Sequence, residues 1–380
     1  MFLLVSIPLR VLHLATGNLY GGVEVYLCTL AGRGSAAGMT AEFTVCWEGR
    51  LAADLRTAGA RVHSLGAVRL SRPWRVWAAR WRLARLLRSE PFDVALVHSA
   101  WTHALFGPVI RWATLPLVMG VHTLVPRQSR LERWARRTPL EGVFANSQFT
   151  ATSVRSWYPG HLEADVILLP VESIPPVGRS ERDRLRADLG ASPGDCVIVQ
   201  ASRMQAWKGV HTLIAALLRM GSEPAWKAWI AGGAQRPEEQ AYEAGLKAQI
   251  HQAGLADRVT FLGQRTDVPA LLAAADVHVQ LNQTPEPFGI VFVEAAYAGI
   301  PSISAREGGA AEFVDESCGV RLASGDYSGL ARELESLVRD PVRRRILGAA
   351  GPSRAESLCD PGRQTERLAS FLRTLLLRLQ

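Results

Sequence analysis

Short, β-branched apolar runs alternate with longer amphipathic stretches along the whole chain. In the first half the strand-like runs are RVLHLA (10–15), AEFTVCW (41–47), RVHSLG (61–66), FDVALVHS (92–99), PLVMGVH (116–122), GVFANS (142–147) and ADVILLP (164–170). In the second they are CVIVQAS (196–202), KAWIAGG (227–233), RVTFLG (258–263), DVHVQLN (276–282), PSISA (301–305) and GVRLA (319–323). Helical patterns lie between them, for example over 24–33, 74–88, 235–252 and 269–275. Such alternation predicts parallel sheets with helices on both faces. Proline, serine and charge concentrate over 170–183, which reads as a linker. The expected fold is therefore α/β: two doubly wound, Rossmann-like domains facing across a cleft, over 1–175 and 176–355. A last helical pattern, over 356–380, is expected to pack back on the first domain. A chain of 380 residues is long for a single core, which agrees with two.

Composition narrows the class. Apolar residues make up 48% and charged ones 21%, ample for two packed interiors. The five cysteines never form a CxxC or a Cys/His cluster, which argues against zinc and a disulfide framework and suits a reducing cytoplasm. The apolar start carries Arg10 and no preceding basic residues, so neither a signal peptide nor a membrane span is expected. The net charge of +8 lies wholly in the first half, where residues 1–175 hold 19 Arg and no Lys against 11 acids. That asymmetry points to a polyanionic partner for this half, nucleic acid or acidic lipid.

Two segments carry candidate chemistry. In VIVQASRMQAWKGVHTLIAAL (197–217) a strand gives way to a loop with Arg203 and Lys208, and Gly209 precedes a helix. Cations at a strand's carboxyl end beside a helix N-terminus suit a diphosphate; two solvated surface cations are the plain alternative. In EPFGIVFVEA (286–295) the flanking prolines keep Glu286 in a loop. A helix begins after Gly289, with the N–H groups of Phe288, Gly289 and Ile290 at its start and Glu294 one turn inside. Either Glu286 caps that helix and Glu294 pairs with an arginine, or both carboxylates await a ligand rich in hydroxyls.

The segments SRMQAWKG, IAGGAQ and RVTFLGQRTDVPALLAAADVHVQLNQTPEPFGIVFVEAAYAGIPSISAREGGAAEFV, with GGVE near the start, resemble the retaining glycosyltransferases of family 4. The resemblance covers most of the chain, is strongest over 197–314 and includes the E-x7-E signature. It implies the GT-B fold and transfer of a sugar from a UDP- or GDP-sugar donor to a hydroxyl acceptor that is lipid-linked, a polysaccharide or a small molecule. It also implies that Arg203 and Lys208 neutralise the departing diphosphate, that Glu286 holds the donor sugar and that Glu294 binds the ribose. Phe288, Gly289 and Ile290 would meet the distal phosphate and sugar, Arg265 would lie beside the base, and Gly21 and Gly22 would close over the phosphates. His122 matches the family's strand-end histidine near the anomeric centre, although Thr123 stands where an acidic residue often follows. His98 and His103 are weaker candidates for the acceptor side. No DxD-type pair is placed to hold a metal, so no cofactor and no metal are expected.

Arithmetic at 100° per residue gives the helix over 71–90 an apolar stripe and an opposite face of Trp74, Trp77, Trp81, Arg85 and Arg88. An interfacial helix uses tryptophan and arginine in this way, so an anionic membrane surface is one expected partner. Burial of the tryptophans under a neighbouring loop is the alternative. Nucleic acid is not expected, because no recognised nucleic-acid module is present. The resulting expectation is a cytoplasmic, metal-independent hexosyltransferase of cell-envelope or polysaccharide synthesis, peripheral on the inner face of the membrane. A nucleotide-sugar epimerase or phosphorylase of the same fold, and a catalytically inactive polyanion- or membrane-binding scaffold, are the competing readings.

Overall fold

The computed structural model describes residues 8–18, 20–124, 130–157, 162–175, 177–221 and 225–380. The first seven residues of the apolar start, and 127–129 of the arginine-rich stretch RQSRLERWARR, lie outside them. The chain divides into two compact units, one of Met1–Val171 with Cys359–Gln380, the other of Glu172–Leu358.

The first unit holds a seven-stranded sheet. Its strands are β1 (Leu9–Ala15), β2 (Met39–Val45), β3 (Val62–Ser64), β4 (Val94–Val97), β5 (Leu117–Val121), β6 (Gly142–Ala145) and β7 (Ala164–Val166). The spatial order is β3-β2-β1-β4-β5-β6-β7, and every pairing is parallel. Strands covered on both faces need continuous apolar runs, and β4 (VALV) and β5 (LVMGV) are buried along their whole length. The order reverses between β1 and β4. In open α/β sheets, ligands bind beyond the strand carboxyl ends at such a reversal.

The helix Pro361–Leu379 belongs to this unit. Phe371 packs edge-on against Phe144 of β6, and Arg373 donates to the carbonyls of Ala37 and Gly38. A Cβ at Gly142 would press on Leu375 and Phe371 of this helix, so the glycine admits it.

The second unit holds a six-stranded parallel sheet of β8 (Cys196–Ala201), β9 (Trp226–Ala231), β10 (Val259–Gly263), β11 (Val277–Gln280), β12 (Ser302–Ala305) and β13 (Gly319–Leu322). The order β10-β9-β8-β11-β12-β13 reverses between β8 and β11. One face buries Ile198, Ile230, Val277 and Ile303 against Leu213, Ile214, Leu334 and Leu337; the other buries Val197, Val199 and Trp229 against Leu271, Leu272 and Ala295.

The linker expected over 170–183 is shorter than its composition suggests. A helix runs over Arg179–Asp188, because Arg182 and Arg186 pair with Asp276 at 2.8 and 2.9 Å and fasten it to the second sheet. That tie is 90 or more residues distant in sequence, so local composition does not show it.

Candidate functional site

The loops that leave β8 and β11, the two strands at the second unit's reversal, carry the candidate residues. After β8 the chain turns through a short 3-10 segment, Ala206–Lys208, and enters the helix Val210–Leu217 at Gly209. Gly209 is left-handed, with φ of +75°, and a Cβ there would overlap the carbonyl oxygen of Leu281 at the end of β11. Glycine alone therefore lets the two loops lie side by side.

That approach brings Lys208 to Glu286. Lys208 Nζ stands 2.6 Å from Glu286 Oε2, and the same oxygen accepts from Gln280 Nε2 at 2.9 Å and Asn282 Nδ2 at 2.5 Å. Three donors thus converge on one oxygen of a carboxylate that is 8% exposed. No protein donor reaches Oε1 among the described residues. Burying an ionised carboxylate is costly unless it is paired and hydrogen-bonded; here the pairing falls on one oxygen and leaves the other for a ligand. Glu286 therefore does not cap the helix that follows, since its side chain is turned to Lys208 and the two amides. Its backbone is fixed as well, because its carbonyl accepts from Gly309 N at 2.7 Å. Trp207 lies against Lys208, whose Nζ is 4.1 Å from the ring centroid.

The helix Ile290–Tyr297 begins at Gly289, left-handed at φ +85° and without a capping side chain. The N–H groups of Phe288, Gly289 and Ile290 have no hydrogen-bond partner among the described residues. Unpaired donors at a helix N-terminus suit an anion. Glu294, one turn inside, is half-buried and makes no side-chain hydrogen bond or ion pair among the described residues, so the arginine pairing is not found. Desolvation raises its carboxyl from the ordinary 4.5 to about 7. Arg203 is half-buried, and its guanidinium likewise has no partner among the described residues. An arginine and a carboxyl, each half-buried and each without a protein partner among the described residues, are available to a ligand.

Arg265 differs from these. Asp267 grips it in a fork, with Nε–Oδ1 at 2.8 Å and Nη2–Oδ2 at 2.6 Å, so its charge is already matched. Gln280 and Asn282, which orient Glu286, were not singled out by sequence; their signal was two amides ending an otherwise apolar strand.

In the first unit, His122 follows β5 and is buried, 7% exposed. It does not stand alone. His13 Nδ1 is 3.0 Å from His98 Nε2, and His98 Nδ1 is 3.0 Å from His122 Nε2. Burial holds all three below the ordinary imidazole range, His13 to about 3 and His122 to about 4. His98 thus bonds to both His13 and His122, while His103 is a packed residue of the helix Ala100–Trp112, bonded to the carbonyl of Thr138 at 3.0 Å. Gly21 caps the helix Gly22–Arg33 at φ −170°, which any residue adopts, and a Cβ there would make only ordinary contact with Glu24. Any steric demand for glycine at 21 must come from a ligand.

The tryptophan face of the helix Pro73–Ser89 is open: Trp74, Trp77 and Trp81 are 63%, 70% and 48% exposed, and no loop of the described residues covers them. Arg85 and Arg88 are exposed alongside, whereas Arg80 and Arg82 turn inward to the carbonyls of Leu105 and Leu65. No helix of the described residues is long and apolar enough to cross a membrane.

The two halves of the chain match two family models, described as Glycosyltransferase Family 4 over residues 20–170 and Glycosyl transferases group 1 over residues 181–354. The GDP-mannose-dependent alpha-(1-6)-phosphatidylinositol monomannoside mannosyltransferase of Mycobacterium tuberculosis is 29% identical, across 93% of this chain and 94% of that protein. The D-inositol 3-phosphate glycosyltransferase of Segniliparus rotundus is also 29% identical, across 68% of this chain but 63% of that protein's length. The crystal structure of Anabaena HepE in complex with UDP and glucose superposes with a TM-score of 0.86 at 25% identity, covering 96% of this chain and all of that one.

Proposed function

We propose that this chain, whose fold is GT-B and whose halves match glycosyltransferase families, transfers a sugar from a nucleotide diphosphate donor to a hydroxyl acceptor. One observation carries the reading: Glu286 is held through one oxygen by Lys208, Gln280 and Asn282 and offers the other, beside a helix N-terminus with unpaired donors. The free oxygen accepts hydrogen bonds from donor-sugar hydroxyls. The Phe288–Ile290 N–H groups take a phosphate oxygen, Glu294 takes the ribose hydroxyls, and Arg265, neutralised by Asp267, lies beside the base.

Breaking the sugar–diphosphate bond builds negative charge on the leaving phosphate. Arg203, without a partner among the described residues, and Lys208, fixed beside Glu286, stabilise that charge in place, and no proton has to reach it. Lys208, held by Glu286, and the half-buried Arg203 together do here what a metal does elsewhere, and the proposed reaction needs no metal. Same-face attack by the acceptor hydroxyl retains the anomeric configuration; within the first unit, His122, Gly21 and Gly22 are the residues assigned to donor contacts. The relatives named as mannosyltransferases of a phosphatidylinositol glycolipid, and the UDP complex of HepE, support a UDP- or GDP-sugar as donor.

The open Trp74–Trp77–Trp81 face with Arg85 and Arg88 supports peripheral attachment to an anionic, cytoplasmic membrane surface, and with it a lipid-linked acceptor in cell-envelope synthesis. The decisive test is a thermal-shift panel of UDP-, GDP- and ADP-sugars on the wild-type chain and on Lys208→Ala. A true donor at one hundred times its Kd stabilises the native state by about 2.7 kcal/mol, and Lys208→Ala loses that shift. No shift with any of them in the wild type would end this reading.

A further inference from the structure

His13, His98 and His122 form a row of three imidazoles joined by two N···N contacts of 3.0 Å. Burial keeps each ring neutral, so each carries one N–H and one bare nitrogen. Two hydrogen bonds among three such rings must run in a single direction. Either the N–H groups all point from His13 toward His122, or all point back.

The two directions leave different atoms without a partner. His13 Nε2 and His122 Nδ1 are both buried and have no hydrogen-bond partner among the described residues. Run backward, the orphan N–H sits on His13, in the middle of β1, wholly buried and face to face with Phe43 (4.9 Å between centroids, 21° between planes). A ring N–H lies in the ring plane and so cannot point into that parallel aromatic face. Run forward, His13 keeps only a bare lone pair inside, which costs less than an orphan N–H. The spare N–H then sits on His122, just past the last residue of β5, at the sheet end where open α/β sheets take ligands.

The sequence also clears space for this row. Gly120 stands inside β5, where glycine weakens a strand. A Cβ there would lie 2.6 Å from Phe144 Cζ, 3.0 Å from His122 Nε2 and 3.1 Å from His98 Nδ1, wedged into the hydrogen bond itself. Tyr26 packs its ring on His98 and His122, 5.9 and 5.1 Å between centroids. No group of three His, Cys, Asp or Glu among the described residues could hold a metal ion, so the row is not a metal site.

We infer that His13 and His98 are positioning residues that fix the tautomer of His122, so that His122 accepts at Nε2 and presents an Nδ1–H donor to an acceptor oxygen of its ligand. His122 on this assignment is a hydrogen-bond donor and not a general base. That the acceptor oxygen belongs to a donor sugar or its phosphate rests on the proposed function; the tautomer does not.

The test is imidazole 15N–1H long-range correlation on the full chain labelled at histidine, at pH 7.5 without ligand. The expected spectrum shows protonated Nδ1 and bare Nε2 at His13, His98 and His122, assigned by single substitutions. Protonated Nε2 with bare Nδ1 at His122 overturns the inference. In His98→Phe the His122 signature is lost and kcat/KM falls about 10- to 100-fold, the usual cost of removing a residue that orients another. His98→Gln, whose amide keeps one acceptor and one donor, restores both. An unchanged His122 signature in His98→Phe also refutes the relay, and if that variant does not fold, the wild-type spectrum alone decides. A failure of every nucleotide sugar to perturb the His122 signals would count against the proposed function and leave the tautomer assignment standing.

Discussion

Replacing Glu294 by glutamine separates what this carboxyl costs the fold from what it gives a ligand. Desolvation moves its titration from 4.5 to about 7, so the ionised form carries a penalty of about 3 kcal/mol in the folded protein. The sign follows from proton binding. Between the two values the folded state holds a proton that the unfolded state has released, so stability is lost as pH rises through that window. At pH 5 the penalty is only about 1 kcal/mol, and by pH 8 it is nearly complete. Glu294→Gln removes it, and the gap between variant and wild type therefore widens by about 2.5 kcal/mol from pH 5 to pH 8. For a unit spanning Glu172–Leu358 this amounts to roughly 5–10 °C in Tm.

The assay is a scan of both proteins at half-unit steps of pH, without ligand, reading the transition of the second unit. In parallel, nucleotide-sugar affinity should fall about 10- to 100-fold in Glu294→Gln at pH 8, the worth of hydrogen bonds to a charged acceptor. A gap independent of pH would refute the desolvation argument. A stabilised variant with undiminished donor affinity would refute the role assigned to Glu294.

The remaining expectations are more direct. Glu286→Ala and Lys208→Ala abolish transfer in a radiolabelled-donor assay while far-UV circular dichroism stays native; near-wild-type turnover in both discredits the site. Gly209→Ala forces a Cβ onto the Leu281 carbonyl and a left-handed backbone, which destabilises by about 2 kcal/mol or more and shows as a lowered Tm even without donor. Trp74→Gln with Trp77→Gln weakens co-sedimentation with anionic vesicles but leaves kinetics on a soluble acceptor intact. Equal binding to neutral and acidic vesicles, insensitive to salt, argues against the membrane role.

Much of the fold was legible because its signals are local. Parallel strands buried on both faces announce themselves as apolar runs, and the exposed face of Trp74, Trp77 and Trp81 follows from helical periodicity alone. Lys208 and Glu286 could each be placed in a loop, but not against one another. They are 78 residues apart, and only the adjacency of β8 and β11 unites them. Gln280 and Asn282 were missed because strand alternation reports a face, not a partner. His13 was missed for a similar reason: a histidine within RVLHLA looks like filler until β1, β4 and β5 lie side by side. The linker was overdrawn because Asp276, which anchors Arg182 and Arg186, is remote in sequence.

The helix Pro361–Leu379 completes the first unit although the whole of the second unit lies between them in the chain. A ribosome adding about 5–20 residues per second needs roughly 10–40 s to make that intervening stretch. During this interval the nascent first sheet lacks the Phe371 and Leu375 cover over β6. The later-made half can thus mature before the earlier one, and the waiting apolar surface around Gly142 is where chaperone engagement during synthesis should concentrate.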